Sequence, residues 1–128
     1  MESKSGKTSR PSFEEFVKSL QEFTGTENWY RHSINRSVLY TDGVKYLADT
    51  CGSHWLLDDI AISQYSPKAQ KEDFQVWVLK VDDSKATLVC EDGNGHKVYS
   101  KKIEFTDFPY PEVTIWMVDN TMLLKSEY

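Results

Sequence analysis

His54 and Asp58 stand four residues apart in "SHWLLDDIAISQY", so on a helix they share a face, with Asp59 beside them. Such a pair can act as an acid–base couple or supply two ligands to a metal. Two ligands do not make a metal site, and the chain contains no HxxxH, CxxC or DxD pattern to complete one. The competing reading is a solvated or locally bonded pair on a helix flank. Cys51 lies close enough in sequence to His54 to form a nucleophile with its base. It ends a predicted helix rather than starting one, however, and the helix dipole there would not activate a thiol. "EDGNG" at 91–95 invites a phosphate-loop or calcium-loop reading, yet it lacks a following GK[ST] and the spaced acidic ligands of an EF-hand. It reads as a hairpin turn. With GxSxG, HExxH and GxGxxG also absent, the sequence makes no positive case for an enzyme and assigns no catalytic residue, metal or cofactor.

The remaining candidate is "EFTGTENWYRHS" (22–33), in which Trp29, Tyr30, Arg31 and His32 follow in a row. Trp, Tyr and Arg are the residues most enriched at binding hot spots. They are equally what a loop uses to pin itself over a small core, with rings buried and polar tips bonded. The structural reading expects residues 24–33 to join the first helix to the first strand, Gly25 ending the helix at positive φ. It also expects Trp29 to be buried on the first helix and Arg31 or His32 to reach the surface. The alternative is an aromatic pocket for a small molecule or nucleotide, or a small hydrolase, lined by Trp29–His32 with Asp42 or Asp58 nearby.

The elements that position these residues follow from periodicity. "PSFEEFVKSLQEF" predicts a helix: Ser12 and Glu15 have capping-box spacing, and Phe13, Phe16, Val17, Leu20 and Phe23 form one stripe. "SVLYT" (37–41) reads as a short strand stopped by the turn signal Asp42-Gly43. Two helices follow over 44–51 and 53–65, parted by Gly52, with Ser53 as cap and Trp55, Leu56 and Ile60 facing inward. The second half changes period. Strands are expected over 74–81, 86–90, 97–105 and 113–118, with a final strand "MLLK" after the turn "DNT". Helices first and strands second predict an α+β fold, N-terminal helices packed on a mostly antiparallel sheet, a meander formed by the C-terminal half. Residues 1–11 are expected to be a disordered basic tail, and 12–128 one domain. In "FQVWVLKV" and "VTIWMV" both faces are apolar, whereas a strand with one solvated face should alternate. Trp77 and Trp116 therefore join the binding candidates, and something should cover the second face: the chain's own helices, a second copy, or a partner.

Composition narrows the classes. At 128 residues the chain suits one domain. A net charge of −5 with scattered lysines argues against direct nucleic-acid binding, which needs a basic patch. No apolar run approaches the roughly 20 residues of a membrane helix, and the N-terminus has no apolar stretch of the signal-peptide kind. The two cysteines, Cys51 and Cys90, read as reduced thiols of a cytoplasmic protein.

The blocks "FTGTENWYRH", "YTDGVKYLAD", "WLLDDIA", "FQVWVL", "EDGNG", "TDFP" and "LLKSEY" together resemble the DUF6876-type family of small bacterial proteins, whose members occur in chromosomes, plasmids and phages. The resemblance covers about residues 22 to 128 and implies no activity, cofactor or catalytic residue. It does imply a context, mobile elements, in which small acidic proteins often act by binding a host protein or protein complex. The expectation is thus a non-enzymatic protein–protein interaction module, in its sharper form an anti-CRISPR-like inhibitor of a host defence system, with homodimerisation as a second use of the apolar faces.

Overall fold

The computed structural model describes residues 10–128, so most of the expected tail lies outside the described residues. Arg10 and Pro11 are held to the body. The Arg10 Nε donates to the Thr50 carbonyl (3.1 Å), and the Tyr110 hydroxyl donates to the Pro11 carbonyl (2.7 Å).

In chain order the elements are α1 (Phe13–Gln21), β1 (Trp29–Arg31), β2 (Leu39–Thr41), α2 (Asp42–Cys51), α3 (His54–Ser63) and α4 (Pro67–Gln70). There follow β3 (Phe74–Asp82), β4 (Lys85–Glu91), β5 (Lys97–Ile103), β6 (Glu112–Val118), β7 (Thr121–Leu123) and a 3₁₀ turn, Lys125–Glu127. The fold is α+β. Its seven strands form one sheet in the order β1-β2-β7-β6-β3-β4-β5, antiparallel throughout except for β2 beside β7. β3, β4 and β5 form the expected meander. β6 does not continue it, but returns to the other side of β3. The connector through "FPYP" is extended by its prolines, and it buries Phe108 and Tyr110 on the way.

Local signals explain several boundaries. Ser12 and Glu15 close the capping box reciprocally, at 3.1 and 2.9 Å. Gly52, at φ 61°, ends α2 in the left-handed conformation that glycine adopts without steric cost. Gly95, at φ 83°, turns the β4–β5 hairpin, so "EDGNG" is a turn. Other expectations are corrected. Gly25 has no positive φ, and α1 ends earlier, at the right-handed cap Glu22. Ser53 occupies the cap position of α3 without a capping bond, and its buried hydroxyl has no partner among the described residues. Asp42-Gly43 opens a helix instead of making a turn. The Thr41 hydroxyl accepts the Val44 N–H (3.3 Å), and the distant Glu127 carboxylate accepts the Gly43 N–H (3.1 Å), so two otherwise orphaned donors are satisfied.

The core lies between the helices and one face of the sheet. Trp77, Leu79, Leu88, Cys90, Ile115 and Met117 project from the strands, and Val44, Leu47, Leu56, Leu57 and Ile60 meet them from α2 and α3, all essentially without solvent exposure. Truncating any of these large aliphatic side chains to alanine would cost about 2–5 kcal/mol.

Candidate functional site

Residues 27–30 of the stretch 22–33 are held by one carboxylate. Asp42, first residue of α2, accepts the backbone N–H of Glu27 (3.0 Å) and of Asn28 (3.3 Å), the Asn28 side-chain amide (3.3 Å) and the Tyr30 hydroxyl (2.9 Å). The bond from the Glu27 N–H is the main cause that holds its carboxyl down, to about 2, and the Tyr30 and Asn28 bonds add to it. The Tyr30 ring stacks on Tyr40 of the paired strand, with centroids 5.5 Å apart.

His32 is buried. Its Nδ1 accepts the N–H groups of Ile34 and Asn35, both at 3.1 Å, so that nitrogen carries no proton and Nε2 donates to Asp58 Oδ1 at 2.8 Å. Both ring nitrogens are thus committed, and no lone pair is left for a substrate. The candidate couple of His54 with Asp58 does not form. His54 Nε2 instead bonds Asp49 (2.7 Å), which also holds Lys45, and Asp58 turns to His32. Asp59 binds Lys101 across the layers (3.0 Å). Burial pushes both thiols, Cys51 and Cys90, up to about 12, far from the reactive range. Among the described residues no group of three or more His, Cys, Asp or Glu could hold a metal.

Alternation along the strands divides the sequence candidates. From register, Tyr30, Tyr40, Met122, Met117, Gln75, Trp77 and Tyr99 belong to the helix-covered face. Trp29, Arg31, Leu39, Leu123, Trp116, Val76 and Val89 belong to the other. Trp29 is 58% exposed, not packed on α1 as expected. The reason is parity. Tyr30 is drawn to the helix side by Asp42, and its neighbours Trp29 and Arg31 must then point away. The structure therefore brings Trp29, Arg31 and Trp116 to one face, while Tyr30, His32 and Trp77 lie on the opposite side. They do not line a common pocket.

The face without helices has an aromatic centre. Phe74 and Trp116 meet edge to face at 5.0 Å, and Tyr128, 72% exposed, packs on both, at 5.9 and 5.3 Å. Val76, Val78, Val89 and Val118 extend it, all half-buried. At the β3–β4 hairpin end the same face becomes charged, with Glu112, Lys80 and Lys102 in one cross-strand row and Asp82 and Lys85 beyond it. The face thus has an apolar centre and a charged margin.

Sequence reasoning passed over a buried amide network on the covered face. Gln64 and Gln75 bond each other reciprocally, both at 2.9 Å, and the Trp77 indole N–H donates to Gln75 Oε1 (2.8 Å). Gln75 also donates to the Ala69 carbonyl (2.8 Å) and the Glu72 carbonyl (3.0 Å), which fastens α4 to the sheet. A glutamine in the inward register of an apolar strand was the available signal. The network borders a polar cavity of about 350 Å³ edged by Glu72, Asp73 and Asp119. The three buried amides there, Asn35, Gln64 and Gln75, are occupied by each other and by backbone, so the cavity's inner wall offers a ligand little.

The chain matches the model of DUF6876, a family of unknown function, over residues 14–128, and it belongs to that family. No curated protein and no solved structure matches it.

Proposed function

We propose that this DUF6876 member is a binding module without chemistry of its own, acting by protein–protein contact through the helix-free face of its sheet. The observation that carries the reading is that α2, α3 and α4 are spent on one face. The other is left with Phe74, Trp116 and Tyr128 at its centre and Trp29 and Arg31 on the edge strand β1. Monomeric proteins rarely leave a contiguous apolar patch of this kind open without using it. Its residue types are those that carry binding energy at hot spots, and its charged margin suits a water-exposed rim. The occupant in this reading is a different protein, a host protein or complex, and inhibition of a host defence system is the specific form it takes. The two free, buried cysteines support a reducing, cytoplasmic setting. Among the described residues no helix is long and apolar enough to cross a membrane.

The test is paired capture from bacterial lysate with the parent and with Trp29→Ser and Trp116→Ser, followed by binding of the purified partner. A partner held by the parent and lost by both variants, each melting near the parent, supports the reading. Equal capture by parent and variants overturns it, and so does light scattering that finds a stable dimer dissociated by Trp116→Ser.

A further inference from the structure

A second surface, which meets the margin of the open face at Glu112, lies along the edge of β6. β7 pairs with β6 only at Trp116, Met117 and Val118, so β6 residues 112–115 have no strand beside them on that side. The two strands join through Asp119-Asn120, both at positive φ (49° and 63°), a two-residue hairpin that makes Val118 and Thr121 a hydrogen-bonded pair. In an antiparallel ladder every second residue directs its N–H and C=O to the same side. Trp116 and Val118 therefore bond β7, while Thr114 and Glu112 aim theirs past its end. None of these groups has a backbone or side-chain partner among the described residues.

The space they face is a groove of about 560 Å³. Its opposite wall is the apolar stripe of α1, Phe13, Val17 and Leu20, and Leu124 contributes where the chain leaves β7. The groove has ends of opposite charge. Phe13 and Phe16 lie against Tyr110, at 5.8 and 4.3 Å, which puts Glu112 at the Phe13 end. The Ser126 hydroxyl donates to the Leu20 carbonyl (3.0 Å), which puts Lys125 at the other. Neither charge has an ion-pair partner among the described residues.

We infer that this groove accepts an extended segment of a partner protein, which adds a strand to β6 in line with β7. Unpaired strand N–H and C=O groups call for another strand; a helix has no backbone groups to offer them and a small apolar molecule none at all. The strand runs antiparallel to β6, as β7 does, for about four residues, the length of edge left open (seven residues in β6 less three paired). It enters at Lys125 and leaves at Glu112, so charge matching specifies an acidic residue before it and a basic residue after it. Alternate side chains, apolar ones, reach Phe13, Val17 and Leu20. The chain's own start, "MESKSGKTS", has Met1 as its one apolar residue and does not fit that pattern.

The probe is the peptide acetyl-Glu-Val-Thr-Val-Thr-Lys-amide, titrated into the labelled full chain and followed by amide NMR shifts, with the reversed peptide acetyl-Lys-Thr-Val-Thr-Val-Glu-amide beside it. The expected result is saturable shifts centred on Thr114 and α1, with the reversed peptide weaker. Thr114→Pro removes the donor from a strand edge that tolerates proline. It should weaken binding by about tenfold, the worth of one net hydrogen bond, at unchanged melting temperature. Val17→Glu gives an independent variant on the other wall and should abolish binding. Absence of shifts, equal binding of the two peptides, or full binding by both variants overturns the proposal. So does a Thr114 shift produced by protein concentration alone, which would make the occupant a second copy, or by deletion of residues 1–9, which would make it the chain's own N-terminus.

Discussion

Trp77 and Trp116 lie on adjacent strands, one residue apart in register, and face opposite sides of the sheet. Trp77 is buried under the helices, and its indole N–H is bound to Gln75. Trp116 sits half-buried among Phe74 and Tyr128 on the face no helix covers. Two tryptophans that look equivalent in sequence thus serve stability and surface respectively.

Replacing Gln75 by methionine keeps the side chain's volume but leaves the Trp77 N–H and the Gln64 Oε1 without partners in the core, while Gln64 Nε2 keeps the Ile60 carbonyl. The expected loss is about 2–3 kcal/mol, from buried groups left unsatisfied. Urea unfolding checks it: the midpoint should fall with the slope unchanged.

Gly43→Ala should lower the melting temperature, although alanine normally improves a helix. A Cβ at this position would stand 2.6 Å from Glu127 Oε1 and 2.7 Å from Leu124 Cδ1. Overpacking of this kind costs about 1–3 kcal/mol. Glu127→Ala should not restore stability, because Leu124 stays in the way and the bonds of Glu127 to Thr41 and Gly43 are lost.

The Asp42 carboxyl is lowered in the folded protein from its ordinary 3.8 to about 2. A depressed carboxyl contributes stability that is fully present above its unfolded value and is lost as pH falls through the folded one. Parent protein should therefore lose this contribution between pH 4 and 2. Asp42→Asn should be less stable at neutral pH and show a flatter acid limb. Circular dichroism melts from pH 7 to pH 2 measure the difference.

Trp29→Ala should melt close to the parent, because the ring is 58% exposed, whereas Tyr30→Phe should lose stability through its bond to Asp42. A sharp drop for Trp29→Ala in differential scanning calorimetry would contradict the outward placement.

Thiol titration should find two slow groups in native protein at pH 8 and two fast ones after denaturation, since Cys51 and Cys90 are free and pushed up to about 12 by burial. Immediate reaction of the native protein would show that one of them is exposed.

What the sequence determined by itself was local. The Ser12–Glu15 box, the left-handed Gly52 and the "DGNG" turn each act within a few residues, and period alone separated the helical half from the strands. The α+β class followed from that order. Tertiary structure decided everything that depends on a partner far along the chain. Glu127 turns Asp42-Gly43 into a helix start from 84 residues away. Asp58 prefers His32 to the nearby His54 because the chain after β1 brings that imidazole to α3. β6 joins β3 instead of β5, which sets the order of the sheet and leaves the edge of β6 open. Above all, alternation says that a strand has two faces but not which of them will meet the helices. Asp42 drawing Tyr30 inward settled that for β1, and so put Trp29 outside.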